Sequence, residues 1–395
     1  MQGFVDQLVA GGWFPGLPVE VIYALAMFLF GSIVVFVFVL PLAGTTMWIE
    51  RRVAGRIQSR IGPNRVGPQG FLQWMADGAK NLLKEDIIPT AADQKLFRLA
   101  PYMVLVGFIS TFVVIPFSSG LIIADLNVGI LYFTAVTALV VVGVLMAGWS
   151  SNNKWSLLGG IRSAAQIVSY EIPAGLAIFP VVLLSGTLSM QGLIQAQGWA
   201  PWNWYVFHNP FTFIAFFIFF TAALAEGNRT PFDLPEADSE LVQGIYTEYS
   251  GVRFLLFGMA EFGNLYVIGA AVTTLFLGGW QIPPITENVF LQQPLQFLTF
   301  FLKAYFWVFV AVWLRWTLPR VRVDQLMGLC WKYLVPIGFV NLVGTAVWMT
   351  LWPQGNAFAR YLMFLMGAGI VVLFFRRVVF YIRRARPELY YSPII

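Results

Sequence analysis

The chain has 395 residues, of which 58% are hydrophobic and only 11% are charged, and its net charge is +5. Soluble domains usually contain about 25% charged residues, so this composition excludes a single water-soluble fold and favours an all-α, polytopic membrane protein. The chain has one His and one Cys. These are too few ligands for an iron–sulfur cluster, a structural zinc site or a bis-histidine haem, so electron chemistry would require a partner or a dissociable cofactor.

Long windows without Asp, Glu, Lys or Arg predict the membrane-spanning helices, because a span needs about 20 mostly apolar residues. The uncharged windows are 21–49, 99–124, 126–153, 172–225, 262–286 and 333–359. The window 172–225 is long enough for two spans, joined by a Gly-, Gln-, Trp- and Pro-rich connection at 191–210. Two weaker windows, 297–314 and 361–381, bring the predicted total to about nine spans.

The basic residues predict an N-terminus outside and a C-terminus in the cytoplasm, because basic loops stay on the cytoplasmic side. All but two of the 24 Lys and Arg residues fall in alternate connections or in the C-terminal tail, and the exceptions are Lys303 and Arg360. This sidedness accounts for the positive net charge without a nucleic-acid partner. No basic residue precedes Arg51, so the first window lacks the basic start of a signal peptide.

The connection after the first span contains a predicted amphipathic helix near residues 70–84. Its apolar residues follow a period of 3.6, whereas Asp77, Lys80 and Lys84 fall on other faces. We expect this helix to lie in the cytoplasmic interface of the membrane. Packing against a soluble neighbour is the alternative.

Three glutamates stand at the predicted edges of spans, and a carboxylate that lies at membrane depth costs about 2.5 to 3.5 kcal/mol on insertion scales. Glu171 is expected to begin an apolar run, Glu226 to end the fifth span and Glu261 to begin the sixth. Each could be solvated just outside the hydrocarbon. Their occurrence together, on the predicted cytoplasmic side, favours an ion pathway or buried pairs.

The residues around Glu171 form a second polar pattern. Arg162, Gln166 and Tyr170 are spaced at i, i+4 and i+8, which predicts that they share one helical face. Arg229 follows Glu226 by three residues, so the two side chains could pair across one helical turn.

The densest acidic stretch of the protein follows Arg229. Its carboxylates are Asp233, Glu236, Asp238, Glu240 and Glu248. Neighbouring like charges affect one another's protonation, particularly where solvent is limited. Such a series suits the passage or storage of protons or a response to a nearby negative charge, and a solvated acidic loop is the alternative.

No catalytic triad or phosphate-binding loop is predicted. His208 lies alone in the predicted outer connection, and Cys330 is expected in a cytoplasmic loop without a second thiol. The glycines of the sequence RIGPNRVGPQG lack the strand and the Gly-Lys-Ser/Thr context of a phosphate-binding loop.

Four segments carry a resemblance to a known family. They are ERRVAGRIQSRIGPNRVGPQG followed by ADGAKNLLKED, then GGIRSAAQIVSYEIP, then AEGNRTPFDLPEADSELVQGIYTEYSG running on to MAEFGN, and finally LPRVRVDQLM. With them the chain closely resembles the quinone-chamber membrane subunits of respiratory complex I, the NADH-quinone oxidoreductase. The resemblance defines a membrane domain at 1–352 and leaves 353–395 as an extension with the ninth span and a basic tail.

The resemblance implies a subunit of a proton-translocating NADH-quinone oxidoreductase in the bacterial inner membrane. In the family, the first and sixth spans, the interfacial helix and the loop after the fifth span line a tunnel for ubiquinone or menaquinone. The implied partners are the soluble iron–sulfur and quinone-site subunits of the peripheral arm, the antiporter-like membrane subunits and membrane lipids. This chain would bind neither metal nor flavin and would have no catalytic residue or redox centre of its own.

The resemblance also implies roles for individual residues, in three groups. The tunnel group is Glu50, Arg51, Arg52, Arg229, Asp233, Glu236, Asp238 and Glu240. The proton-coupling group is Arg162, Glu171, Glu226, Glu248 and Glu261. Arg320, Arg322 and Asp324 would belong to a cytoplasmic loop.

The chain departs from the family pattern at three positions. Asp238 replaces the more usual Glu, Tyr246 occupies a position often held by His, and Phe262 stands where Tyr is commoner. Every carboxylate is kept, but hydrogen-bond partners change.

Two alternatives to the leading interpretation remain. The chain could be the equivalent membrane subunit of a hydrogenase or related complex, or it could be a self-contained cation or proton transporter. The acidic run after Arg229 favours the quinone enzyme over the first, and the absence of internal repeats argues against the second.

Overall fold

The computed structural model describes residues 34–235, 238–283, 289–353 and 355–384, together with residues 18, 20, 21, 25 and 29. Within these residues the fold is all-helical, as predicted, and no strand occurs. Residues 22–24, 26–28 and 30–33 of the first predicted span and residues 385–395 of the tail lie outside the described residues.

The principal helices follow one another in chain order. They are α1 (Leu40–Ile57), α2 (Gln73–Leu83), α3 (Gln94–Thr111), α4 (Gly129–Ser150), α5 (Lys154–Ser185), α6 (Met190–Gln197), α7 (Pro210–Glu226), α8 (Gly251–Phe276), α9 (Val289–Thr317), α10 (Val323–Leu351) and α11 (Ala357–Arg384). A π-helical turn at Val34–Val39 leads directly into α1, and another at Leu329–Leu334 interrupts α10. Short helices occur at Tyr205–His208 and Asp238–Leu241.

Six helices among the described residues are long and apolar enough to cross a membrane, namely α4, α5, α8, α9, α10 and α11. This finding agrees with a multi-pass membrane protein. Helix α7 is apolar but has 17 residues, and α3 has 18. The total of about nine spans therefore stays a prediction, and so does the orientation of the termini.

Helix α8 lies at the centre of the bundle, where it packs against α1, α3, α7 and α9. In its most apolar window 61% of the residues are buried, compared with 11% in α11 at the periphery. Small residues allow the close packing: a Cβ on Gly269 would come within 2.4 Å of the Ala304 carbonyl oxygen on α9. Because α8 touches so many elements, its polar residues can contact groups from several parts of the chain.

Three helices begin earlier than the uncharged windows that predicted them. Helix α8 begins at Gly251 and α5 at Lys154, so Glu261 and Glu171 lie inside helices rather than at their starts. Helix α10 begins at Val323, so Cys330 is helical and buried instead of lying in a loop, and its thiol donates to the Ser169 carbonyl oxygen at 3.1 Å. An uncharged window underestimates the length of a helix whose polar residues face other helices.

The window 99–124 was only partly helical. Helix α3 ends at Thr111, and the chain then folds back, with the Ala124 N–H donating to the Val113 carbonyl oxygen at 3.0 Å. The Ser118-Ser119-Gly120 sequence supplies the turn. In contrast, the prediction of two helices within 172–225 is confirmed by α5 and α7.

Candidate functional site

Four charged residues meet where α1, α8 and α9 contact the segment that follows α7. Arg229 Nη1 lies 2.9 Å from Glu261 Oε1 and 3.4 Å from Glu50 Oε2. Arg315 Nη1 lies 2.9 Å from Glu50 Oε1 and 3.9 Å from Glu261 Oε1. We call these four residues the charge cluster. Its formal charges balance, which is what allows ionised groups to remain in a site where the Arg229 side chain is 1% exposed.

The end of α7 places Arg229 in the charge cluster. The Arg229 N–H donates to the Leu224 carbonyl oxygen at 3.2 Å, so the chain turns back immediately after the helix. Gln166 on α5 holds this turn, because its Nε2 donates to the carbonyl oxygens of Ala225 and Phe232, both at 2.7 Å. The predicted Glu226–Arg229 pair assumed a continuous helix, but α7 ends at Glu226, and Arg229 reaches Glu50 and Glu261 instead.

The polar face of α5 is confirmed. Besides Gln166, Arg162 Nη1 donates to Glu240 Oε2 at 2.7 Å, and the Tyr170 hydroxyl donates to the Leu326 carbonyl oxygen at 2.9 Å. One helical face therefore ties the segment after α7 to the start of α10.

Two cavities adjoin the charge cluster. The larger has a volume of about 780 Å³ and lies between α1, α2 and α8. The smaller has a volume of about 360 Å³ and lies beside Thr230, Asp233 and Tyr246. Both are lined by Gln243, Phe254, Gly258 and Glu261. The cavities are therefore adjacent, and Glu261 faces both.

The larger cavity has mainly apolar walls. Met47 of α1, Trp74 of α2 and Phe254 of α8 contribute to its lining. Gly44 allows α2 to approach α1, because a Cβ at this position would lie 2.3 Å from the Trp74 ring. An ion pair between Arg51 and Asp77 fixes the same two helices to each other. The interior suits an elongated apolar ligand that carries one polar end.

Helix α2 lies within residues 70–84, where the amphipathic interfacial helix is predicted. Its apolar residues Met75, Leu82 and Leu83 are exposed, the last being 89% exposed. Because the same helix lines the larger cavity, that cavity lies directly beside an exposed apolar surface.

Tyr249 borders the larger cavity, just before α8. Its hydroxyl donates to the Phe97 carbonyl oxygen at 3.2 Å, and the two rings stack with their centroids 4.1 Å apart. Burial raises the pKa of Tyr249 to about 12.

The smaller cavity is more polar. Asp233, Arg315 and Arg320 contribute to its lining, and Arg320 Nη2 lies 3.3 Å from Asp233 Oδ2. Tyr246 also faces this space. The smaller cavity therefore presents charged groups of both signs to whatever enters it.

A third cavity, of about 260 Å³, lies among α4, α5, α7 and α8. Glu171, Glu226, Thr137 and Asn264 contribute polar groups to its otherwise apolar walls. Glu171 and Glu226, two of the three glutamates at predicted span edges, therefore line the same cavity.

The remaining predicted residues do not line these three cavities where the structure describes them. Glu248 Oε1 accepts from Asn153 Nδ2 at 2.6 Å, and Arg52 Nη2 donates to Gln69 Oε1 at 2.8 Å. Arg322 and Asp324 are exposed at the start of α10. Glu236 and the Asp238 side chain lie outside the described residues.

Sequence reasoning missed Arg315 as a site residue and used it only as a topology signal. The sequence feature that could have identified Arg315 is its position directly after the apolar window 297–314, at the same end of the bundle as Arg229 and Glu261. Among the described residues, no group of three or more His, Cys, Asp and Glu side chains is arranged to hold a metal ion.

Comparisons with known proteins agree with the sequence resemblance. A family model described as NADH dehydrogenase matches residues 30–346. The chain is 57% identical over 345 residues to the NADH-quinone oxidoreductase H subunit of Anaeromyxobacter dehalogenans, covering 84% of this chain and 82% of the relative. It is 46% identical over 320 residues to the NADH-quinone oxidoreductase subunit 8 of Rhodothermus marinus, covering 78% and 93%.

A third relative, the NADH-quinone oxidoreductase H subunit of Chlorobium luteolum, is 47% identical over 312 residues, which cover 77% of this chain and 84% of the relative. These names favour a component of a quinone-reducing complex over the hydrogenase and transporter alternatives. The chain belongs to the NADH dehydrogenase family, as a membrane component of the same type as these NADH-quinone oxidoreductase proteins.

Proposed function

We propose that this chain forms the quinone-binding tunnel, and the first part of the carboxylate proton-coupling path, of a proton-translocating NADH-quinone oxidoreductase. The observation that carries the proposal is the pair of adjacent cavities that share Glu261. One is largely apolar and the other is charged, which matches a ligand with an isoprenoid tail and a polar headgroup.

The larger cavity is proposed to hold the tail of the quinone and to serve as its entrance. Its volume of about 780 Å³ lies within the usual range of ligand pockets, about 300 to 1,000 Å³. The exposed apolar face of α2 would rest in the cytoplasmic membrane interface, so a lipid-soluble ligand could pass from the bilayer into the cavity without crossing water.

The charged side of the site is proposed to respond to the headgroup. When electrons reach a quinone it gains negative charge and then takes up protons. Glu261 faces both cavities and is paired with Arg229 and Arg315, so negative charge at either cavity would shift the balance between protonated and ionised Glu261. Interacting groups of this kind titrate together rather than one by one.

The proton-coupling path would continue from Glu261 towards the third cavity. Asn264 lies three residues after Glu261, so both fall on neighbouring positions of one face of α8, and Asn264 lines that cavity with Glu171 and Glu226. Glu248 and the Arg162–Glu240 pair would connect this path to the cytoplasmic surface. The same series of groups would lead onward to the antiporter-like subunits.

The wider assembly follows the family. The chain would lie in the bacterial inner membrane with its N-terminus outside and its C-terminus in the cytoplasm, and it would contact the soluble iron–sulfur subunits that deliver electrons to ubiquinone or menaquinone. Residues 353–395 would be a C-terminal extension beyond the family core, packed at the periphery through α11. Arg320, Arg322 and Asp324 would lie in the loop that faces the soluble partners.

Exchange of the two proposed coupling carboxylates tests the proposal. Glu261→Gln should lower NADH:quinone reductase activity roughly tenfold or more, because the charged side of the site loses its shared carboxylate. Glu226→Gln should lower the number of protons moved per NADH oxidised. Both should leave NADH oxidation by a water-soluble artificial acceptor intact, because the peripheral arm performs that reaction.

Asp125→Asn is the matched control, since Asp125 is exposed at the opposite end of the bundle, where it accepts from the Ser189 hydroxyl at 2.8 Å. The control should retain both quinone reduction and pumping. Unchanged quinone reduction and unchanged pumping in both the Glu261 and Glu226 variants would refute the proposed function.

A further inference from the structure

The charge cluster has a hidden half and an accessible half. Glu261 lines both cavities and Arg315 lines the smaller one. Arg229 and Glu50 do not contribute to the lining of either cavity, and their side chains are 1% and 7% exposed. Some element of the protein must therefore separate Arg229 from the cavities beside it.

Phe262 occupies the required position. It follows Glu261 on α8 and lines the larger cavity, and the centroid of its ring lies 4.9 Å from Cζ of Arg229. A guanidinium group over an aromatic face is attracted by the negative potential of the ring, and the attraction is stronger where water is excluded. The same ring thus contacts the hidden guanidinium and forms the wall of the cavity.

We propose that Phe262 is a positioning residue that holds the Arg229 guanidinium against Glu50 and Glu261 and screens it from the larger cavity. A headgroup would then reach the charge cluster only through Glu261 and Arg315. This inference rests on the proposed quinone function for the identity of the ligand. The screening of Arg229 itself can be tested without a quinone.

The role requires an aromatic face. The phenylalanine ring offers its face to Arg229, whose Nη1 lies 2.9 Å from Glu261 Oε1. Tyrosine and tryptophan would keep an aromatic face at this position. Leucine would keep an apolar wall but would lose the attraction for the guanidinium.

Chemical labelling of arginine tests the screen directly. Intact complex carrying Phe262→Leu, Phe262→Tyr or Phe262→Trp would be treated with phenylglyoxal, and the labelling of Arg229 would be followed by mass spectrometry of peptides from assembled complex only. Arg315, which lines the smaller cavity, is the internal standard. Phe254→Leu is the matched control, because Phe254 lies on the same helix and lines both cavities.

We expect Arg229 to label slowly in the unaltered complex, and roughly 30-fold faster in Phe262→Leu, the factor that corresponds to the loss of a desolvated cation–π contact. The tyrosine and tryptophan variants and Phe254→Leu should behave like the unaltered complex. Equal labelling of Arg229 in Phe262→Leu and the unaltered complex, or an equal increase in Phe254→Leu, would overturn the inference.

Quinone kinetics supply the second measurement. Phe262→Leu should lower kcat for quinone reduction with little change in KM, and Phe262→Tyr should restore it, whereas Phe254→Leu should act mainly on KM through the cavity wall. If Phe262 only stabilised the fold, its replacement would not lower kcat selectively while the replacement of Phe254 acts mainly on KM. If the labelling pattern appears while the kinetics of Phe262→Leu stay unchanged, the screening of Arg229 is supported and the result counts against the quinone site instead.

Discussion

Replacement of Arg229 by glutamine should destabilise the assembled protein far more than the loss of a surface ion pair. Glu50 and Glu261 would keep Arg315 as their cation, at 2.9 and 3.9 Å, and the charge cluster would carry a net negative charge. At an effective dielectric constant of about 20, each contact of Arg229 corresponds to about 5 to 6 kcal/mol of Coulomb attraction. Desolvation offsets part of this, so the expected cost of Arg229→Gln is about 3 to 5 kcal/mol.

A second substitution separates pairing from simple loss of contacts. Glu50→Gln in the same chain restores charge balance, so the double variant should be more stable than the sum of the single effects predicts. The expected coupling is about 2 kcal/mol, which is roughly 30-fold in the rate of thermal inactivation. The assay is the loss of this chain from the complex on native gels after heating membranes. It does not depend on quinone chemistry.

The exposed pair of Arg162 and Glu240 provides the control cycle. Their side chains are 32% and 50% exposed, so the coupling between Arg162→Gln and Glu240→Gln should stay below about 1 kcal/mol. Additive effects of Arg229→Gln and Glu50→Gln, equal to those of the exposed pair, would refute the argument that the charge cluster is stabilised by mutual pairing of buried charges.

Two further predictions concern the C-terminal part of the chain. The buried Cys330 thiol, held against the Ser169 carbonyl oxygen, should stay unreactive towards a maleimide in the native complex and react after denaturation, and rapid native labelling would contradict its burial. A reporter fused after Ile395 should be read from the cytoplasm, whereas a periplasmic signal would overturn the predicted orientation.

The helical core could be predicted from the sequence because a bilayer requires about 20 apolar residues for each span, and α4, α5, α8, α9, α10 and α11 each contain such a window. The first and last residues of the helices could not be predicted in this way. Glu171 and Glu261 were predicted to stand at the starts of apolar stretches, but α5 and α8 begin well before them, and both glutamates face cavities in the bundle. A charged side chain marks the end of a membrane span only when it would otherwise face lipid. The sequence alone does not show whether a side chain faces lipid or the interior of the bundle.

Within the site, the residue types could be predicted but their pairing could not. Glu50 and Arg229 lie 179 positions apart, and no periodicity connects two such distant elements. Arg315 was used only as one of the basic residues that predict the membrane orientation, because its partners Glu50 and Glu261 lie on the distant helices α1 and α8. The contact of Phe262 with Arg229 was equally inaccessible, although Phe262 is one of the departures from the family pattern.

The geometry of the charge cluster explains how a local change could be transmitted. Each carboxylate contacts both guanidinium groups, so protonation of Glu261 would leave Glu50 as the ionised carboxylate of the charge cluster that contacts both Arg229 and Arg315. Glu261 is the member that faces both cavities, and Glu50 faces neither. In the proposed mechanism, therefore, reduction of a quinone in the tunnel alters the pairing of Glu50 without contacting Glu50. Phe262 keeps Arg229, which connects Glu261 with Glu50, from turning into the larger cavity.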